Sequence, residues 1–155
     1  MKRQKKEVMH VAAIREGIVI DHIPPKKLFK VAALLHLEDA TSPVTIGNNL
    51  ESSYLGKKGI IKVAEASFSD ELLNRIAIVA PNVHLNVIKD FEVVEKKQVE
   101  LPDEVVGIIR CTNEKCITNN EDMPTCFHYH KEEEEEYFAC HYCGRKIKAD
   151  KIELL

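Results

Sequence analysis

The sequence predicts an α+β protein of two domains, a sandwich of one sheet and two helices over residues 1–100 and a small all-β domain over 101–155. Strand-like and helix-like segments alternate only in the first hundred residues, and all five cysteines lie between positions 111 and 143. The polar stretch over 95–103 offers few core residues and is typical of a linker. A chain of 155 residues can supply one ordinary core and one small appended unit.

The first predicted elements are two short strands and a helix. Apolar residues predict strands over 8–14 and 17–23, and Pro24-Pro25 then opens a helix that ends near His36. One buried face of this helix is predicted from apolar residues at three- and four-residue spacing, namely Leu28, Val31, Ala32 and Leu35.

Two further strands are predicted at Val44–Asn49 and Ile60–Ala64, joined by a loop that contains Gly56 and Gly59. Ser69 is a natural N-cap for a second helix, because its hydroxyl can accept a hydrogen bond from an unpaired amide of the first turn. The residues predicted to face inward from that helix are Leu72, Leu73, Ile76 and Val79.

The second helix is predicted to end at Ala80-Pro81-Asn82, after which Val83–Ile88 and Phe91–Val94 supply a last strand or strand pair. The resulting order matches the split βαβ plan of a ferredoxin-like αβ sandwich, with both helices on one face of the sheet. The same pattern beyond residue 101 predicts short strands only, and the glutamates over 132–136 predict a solvated hairpin turn.

Composition and charge narrow the class of protein. No stretch approaches the roughly 20 apolar residues that a membrane span needs, so we expect a soluble, cytoplasmic chain without a membrane partner. The formal net charge is -3, and Lys plus Arg against Asp plus Glu is 15 against 13 for residues 1–100 but 7 against 12 for 101–155. Because nucleic-acid surfaces are usually basic, the acidic cysteine-rich half argues against nucleic acid as its partner.

Four cysteines have the spacing of a structural zinc site. Cys111 and Cys116 are separated by four residues, Cys140 and Cys143 by two, and an insert of 23 residues divides the pairs. Two tight turns can therefore present four thiolates to one Zn²⁺, which such ligands hold tetrahedrally. A closed site of this kind stabilises a small domain and leaves no position for a substrate.

Two other interpretations of these cysteines stay open at this stage. Cys140 and Cys143 could form a redox dithiol, or the cysteines could simply be buried, although neither explains the first pair. Cys126, His128 and His130 could compete as ligands, but they alternate along a strand-like segment and are expected to be packing or surface residues.

Several ordered motifs resemble the family of aspartate carbamoyltransferase regulatory chains, nearly end to end. They are REGIVIDHIP from Arg15, VTIGNNL from Val44, GKKGIIK from Gly56, Ala80-Pro81, FEVV from Phe91, and CTNEKC from Cys111. The resemblance implies a non-catalytic chain whose N-terminal domain binds nucleoside triphosphates and whose zinc domain docks on the catalytic chain. It also implies homodimers through the N-terminal domain that bridge catalytic trimers, with CTP inhibiting pyrimidine biosynthesis, ATP opposing CTP, and UTP acting beside it.

The resemblance also implies a nucleotide site. Lys58 and Lys62 are four apart, so on a strand they share one face of the sheet. Carried over by position, the residues that face phosphates or ribose are His22, Lys58, Lys62 and Lys96, with Asp21 accepting from the sugar or supporting the base. The base and sugar pocket consists of Val11, Ala12, Ala13, Ile14, Val19, Asn86, Ile88, Phe91 and Val93. Asn49, with the basic N-terminus, matches the region where a second nucleotide acts.

Three positions depart from the best-known members of the family: Ala12 replaces an acidic residue, Phe91 a tyrosine and Lys115 an asparagine. The first two changes are expected to affect nucleotide affinity or the preference between purine and pyrimidine bases. Lys115 lies where the chain is expected to dock on the catalytic chain, and Asn113 and Tyr142 are the other expected contacts there.

Without the resemblance, the residues leave other functions open. The lysines could be solvated surface residues, the apolar positions could be core, and the Asp21-His22 pair could close a turn. One rival function is a zinc-ribbon adaptor that binds nucleic acid or protein. Another is an enzyme that uses Asp21 and His22 as an acid–base pair, which no nucleophile, phosphate loop or open metal site supports.

Overall fold

A computed structural model describes residues 13–53 and 56–155 of the chain. Its N-terminal part contains one five-stranded sheet and two α-helices. In chain order they are β1 (Gly17–Ile23), α1 (Leu28–Leu34, after a 3-10 turn over Pro25–Lys27), β2 (Val44–Ser52), β3 (Gly56–Ala64), α2 (Asp70–Val79), β4 (His84–Lys89) and β5 (Glu92–Gln98).

The sheet has the order β2-β3-β1-β4-β5, and all neighbouring strands are antiparallel. The first four strands have the ferredoxin-like arrangement, and β5 adds an edge strand. Both helices pack on one face, where Ile20, Ile61 and Leu85 of the sheet share a core with Leu28 and Ile76 of the helices. The predicted fold class is therefore confirmed, and within residues 13–53 and 56–155 no helix packs on the other face of the sheet, which we call the helix-free face.

The β2–β3 hairpin corrects the predicted loop around Gly56 and Gly59. Both strands extend farther than predicted, and both glycines lie within β3. A Cβ at position 59 would stand 2.8 Å from Cδ1 of Leu28, so glycine is needed there because α1 packs directly over the strand. Gly59 therefore marks a close approach of helix and strand, whereas Gly56 has a positive φ of 77° at the start of β3.

The predicted linker over 95–103 is wrong in its first half. Strand β5 continues to Gln98, and Val99 is buried and exchanges backbone hydrogen bonds with Asn82 and Val83. The predicted strand over 8–14 falls largely on residues outside the described ranges, and Ala13 and Ile14 are not in a strand.

The C-terminal part is built of short strands, as predicted. They are β6 (Glu104–Val106), β7 (Ile109–Arg110), β8 (Cys126–Lys131), β9 (Glu136–Cys140), β10 (Lys146–Lys148) and β11 (Glu153–Leu154). Four of them form a sheet of order β10-β9-β8-β6, and β11 pairs with β7. Phe127 and Phe138 are fully buried at the centre of its core.

The two parts meet along α2. Ile78, which is 2 % exposed, belongs to the core of the C-terminal part and not to that of its own domain. Arg75 donates a hydrogen bond of 3.0 Å to the carbonyl oxygen of Leu155, and Leu101 packs against both cores. Among the described residues, neither helix is long and apolar enough to cross a membrane.

Candidate metal centre and ligand-binding face

Four cysteine side chains converge at one end of the C-terminal sheet. Cys111 follows β7, Cys140 ends β9, and all four Sγ atoms lie within 4.8 Å of one another. The Sγ atoms of Cys111 and Cys143 are 3.6 Å apart, and those of Cys116 and Cys140 are 3.8 Å apart. A zinc tetrahedron with Zn–S bonds of about 2.3 Å has edges of about 3.8 Å, so the four sulfurs fit Zn²⁺.

Short hydrogen bonds hold the first turn of this cluster in shape. The Asn119 amide donates to the carbonyl oxygen of Cys111, and the Asn120 amide donates to that of Cys116, both at 2.8 Å. The Thr118 hydroxyl lies 3.2 Å from the sulfur of Cys116. Such outer-shell bonds orient metal ligands and tune their basicity.

Burial favours the neutral, protonated form of two of these thiols. Burial raises the pKa of Cys111 to about 12 and also raises that of Cys140. Burial would raise the pKa of Cys143 too, but hydrogen bonds, first among them one to the backbone of Arg145, outweigh it and lower this pKa to about 7. Four crowded sulfurs can become thiolates together only beside a positive charge, which a metal ion supplies.

The remaining ligand candidates separate from this cluster. Cys126 and His128 do not join the four cysteines but lie together with His141, a residue that the sequence pattern did not indicate. His130 instead stacks on the ring of Tyr137, with centroids 5.0 Å apart.

The helix-free face of the N-terminal sheet carries most of the predicted nucleotide-site residues. Strand register places Lys62, Val19, Asn86 and Lys96 in one row across β3, β1, β4 and β5. Paired residues of antiparallel strands point to the same side, so two lysines flank an apolar and an amide side chain. Val19 also packs with Ile60 and Ile88 in a small apolar cluster on this face.

An ion pair adjoins this row. The Lys58 ammonium lies 2.9 Å from one carboxylate oxygen of Asp21 and 3.1 Å from the other. His22 has a left-handed backbone with φ of 59°, and its ring lies 4.3 Å from that of His84. Burial lowers the pKa of His22, which favours the neutral imidazole.

Lys62 is unusual among these cations because its residue is only 9 % exposed. Burial lowers the pKa of Lys62, the Asp21 carboxylate acts to raise it, and Lys58 lowers it further. A desolvated ammonium gains more from a bound anion than a solvated one does, since less water shields the attraction.

Other predicted site residues lie at the border of this face. Ile14 packs against the Val19 cluster, whereas Ala13 is exposed. Phe91 and Val93 are 64 % and 45 % exposed at the start of β5. Asn49 lies at a register break of edge strand β2, with φ of 56°, away from the row. The predicted residues Val11 and Ala12 fall outside the described ranges.

Comparisons with known proteins match both parts of the chain. The family model described as the aspartate carbamoyltransferase regulatory chain, allosteric domain, matches residues 9–100. The model described as the metal binding domain of the same regulatory chain matches residues 103–153.

Relatives described as aspartate carbamoyltransferase regulatory chains match over almost the full length. One from Porphyromonas gingivalis is 60% identical over 151 residues, covering 97% of this chain and 99% of the relative. A relative from Phocaeicola vulgatus is 56% identical, covering 97% of this chain and 96% of the relative. One from Pyrococcus abyssi is 45% identical, covering 93% of this chain and 95% of the relative. The chain therefore belongs to the family of aspartate carbamoyltransferase regulatory chains, which are non-catalytic, and combines that family's allosteric domain with its metal-binding domain.

Proposed function

We propose that this chain regulates aspartate carbamoyltransferase by binding nucleoside triphosphates on the helix-free face of its N-terminal sheet. The observation that carries the proposal is the row of Lys62, Val19, Asn86 and Lys96. Two lysines can pair with phosphates, the Asn86 amide can hydrogen-bond to sugar or base, and the Val19 cluster offers an apolar surface to the base.

The Asp21–Lys58 pair gives this site both signs of charge. Lys58 can turn from Asp21 toward a phosphate, which leaves the carboxylate to accept hydrogen bonds from ribose hydroxyls. We assign CTP as the inhibitor and ATP as its opponent, with UTP acting beside CTP. Asn49, on the edge strand, belongs in this proposal to the region of a second nucleotide.

The second half of the proposal concerns assembly. The domains divide at residues 100 and 101, and the C-terminal domain holds one structural Zn²⁺ through Cys111, Cys116, Cys140 and Cys143. It docks on the catalytic chain through the turns that the metal stabilises, where Asn113, Lys115 and Tyr142 lie. Tyr142 is 44 % exposed, which supports its role as a contact.

We assign the homodimer contact to the N-terminal domain and the holoenzyme to the cytoplasm. Edge strands β2 and β5 expose Ile46 and Val94, which fits pairing with a second copy. None of the five cysteines forms a disulfide, which fits a reducing compartment.

Regulation then works as a shift between two quaternary states. Lys62 lies on β3, whose Ile61 packs in the helical core, and α2 of that core places Ile78 in the metal domain. If CTP binds the low-activity state more tightly, it raises the population of that state. The continuous packing from β3 through α2 to the metal domain would then transmit the effect of CTP from one domain to the other.

Calorimetric titration of CTP and ATP into the zinc-loaded full chain tests the proposed site. We expect Lys62→Gln and Lys96→Gln each to weaken binding about 10- to 100-fold, because each removes a charge-assisted hydrogen bond worth about 1.5–3 kcal/mol. Lys97→Gln is the matched control. Lys97 pairs in register with core-facing Leu85 of β4, so its side chain points away from the helix-free face, and its ammonium lies 3.2 Å from the Glu95 carboxylate. The site is refuted if Lys62→Gln and Lys96→Gln bind CTP and ATP as tightly as Lys97→Gln does.

A further inference from the structure

A second group of metal-ligand side chains lies beside the four-cysteine cluster but apart from it. Cys126, His128 and His141 each present one ligand atom, and the three atoms lie within 4.8 Å of one another. Nε2 of His128 and Nδ1 of His141 are 3.0 Å apart. This trio belongs neither to the structural metal centre nor to the proposed nucleotide site.

The backbone fixes the three positions. Cys126 and His128 are two residues apart on β8, so their side chains point to the same face of the sheet. His141 follows directly on β9, and its backbone N–H donates a 2.8 Å hydrogen bond to the carbonyl oxygen of Cys126. A site built on paired strands is held more precisely than one on a mobile loop.

Exposure leaves this group accessible from one side. Cys126 is buried at 9 % exposure, His128 is half-buried, and His141 is exposed. Glu104 of β6 pairs in register with His128 and interacts with the Cys126 thiol, so a carboxylate stands next to the group. Because His141 is exposed, a metal ion could enter this group from solvent.

The donor set selects a class of metal. One thiolate and two imidazoles suit borderline transition-metal ions such as Zn²⁺ or Co²⁺, and three protein ligands leave a fourth position for water. Metal–nitrogen bonds of about 2.0–2.1 Å in a tetrahedron place two nitrogens about 3.3 Å apart. The two imidazoles, which now lie within hydrogen-bond distance of each other, would need to separate by a few tenths of an ångström and to turn so that both nitrogen lone pairs face the ion.

We infer that Cys126, His128 and His141 form a second metal site, an open one for a zinc-class transition-metal ion. On binding, the thiol proton of Cys126 leaves to solvent and the sulfur coordinates as thiolate, while both histidines coordinate as neutral imidazoles. His141 also meets the ring of Tyr142 edge-on at 5.1 Å, so occupancy would fix the turn that carries this exposed tyrosine.

Titration of Co²⁺ into the full chain prepared with one zinc per chain, as measured by elemental analysis, tests this site, because tetrahedral cobalt with a thiolate ligand has characteristic visible and charge-transfer absorption. We expect one added equivalent of cobalt per chain, with the structural zinc retained as measured by elemental analysis. His128→Gln and His141→Gln should weaken cobalt binding about tenfold or more, since even outer-shell changes at metal sites cost about 10–100-fold. Cys126→Ser should remove the thiolate charge-transfer band.

His130→Gln is the matched control, because His130 lies on the same strand and outside the trio. It should bind cobalt like the unmodified chain. The site is refuted if cobalt binding is the same in the His128→Gln and His141→Gln variants as in the unmodified chain. It is equally refuted if each cobalt bound releases one zinc, since cobalt would then occupy the four-cysteine centre.

Discussion

His22 combines a rare backbone conformation with a partly buried ring. Its φ of 59° follows a register break in β1 between Ile20 and Ile23, and the break brings its ring against His84. Histidine, asparagine and aspartate adopt this left-handed region more readily than other non-glycine residues. The position therefore selects a polar ring that remains neutral, because burial lowers its pKa.

Acid should destabilise the N-terminal domain through this histidine. A lowered pKa means that the unfolded chain binds the proton more tightly, so stability is complete above the unfolded pKa and falls as the pH drops through it. We expect the free energy of unfolding to fall as the pH drops below about 6.5, and to fall less in His22→Asn, which tolerates the same φ. Urea unfolding at a series of pH values measures this dependence. The prediction is contradicted if the free energy of unfolding falls equally with pH in the unmodified chain and in His22→Asn.

Residue identity alone predicted part of the candidate sites. Cysteine spacing indicated the four sulfurs that the structure brings together, because two short turns leave little freedom. The spacing of Lys58 and Lys62 indicated a shared face because side chains alternate along a strand. The partners His84 and His141 were missed, since a register break and a turn, which leave no periodic signal, place them.

At the scale of elements, α2 is the best predicted. The Ser69 hydroxyl accepts a 3.2 Å hydrogen bond from the backbone N–H of Leu72, and the helix runs over Asp70–Val79, which confirms the predicted N-cap. Asp70 and Glu71 in the first turn complement the helix dipole. Here one local signal is sufficient because capping depends only on neighbouring residues.

Ser69→Ala should lower the free energy of unfolding by about 1 kcal/mol, because it leaves one amide of the first turn without its side-chain acceptor. Ser69→Asp should retain most of the stability, since aspartate is also a good N-cap. Thermal or urea unfolding of the full chain measures both. A loss in Ser69→Asp as large as in Ser69→Ala would show that the cap is not the cause.

The elements that sequence patterns predicted poorly depend on distant contacts. Glycines in β3 suggested a loop, but the nearby Leu28 side chain requires Gly59 in the strand. Residues 95–98 in the second half of β5 were predicted as linker because they are polar, which the exposed edge position of β5 allows. Neither tertiary contact nor edge position leaves a pattern in local sequence.

At the scale of the whole molecule, Ile78 connects the two domains. It lies on α2 of the N-terminal domain and is buried in the core of the C-terminal part. The helical periodicity placed neighbouring residues inward but could not indicate that this one serves the other core. This contact makes α2 the element through which the nucleotide face and the metal domain can influence each other.

Ile78→Ala should weaken communication between the domains. We expect a loss of about 2–5 kcal/mol in stability and a smaller CTP effect on the assembled enzyme, with CTP affinity of the free chain nearly unchanged. Leu72→Ala is the control, because Leu72 is on the same helix and packs against the N-terminal core. An undiminished CTP effect in Ile78→Ala would exclude this contact as the route, and Ile78→Val offers a milder variant for the same measurement.

The most direct test of the regulatory proposal is the aspartate saturation curve of the zinc-loaded chain assembled with its own catalytic trimer, measured with and without CTP. We predict that CTP raises the half-saturating aspartate concentration several-fold, as expected for a coupling free energy of about 1–3 kcal/mol, and that Lys62→Gln abolishes the shift at the same CTP concentration. An enzyme that assembles and binds CTP but keeps an unchanged saturation curve would contradict the proposal.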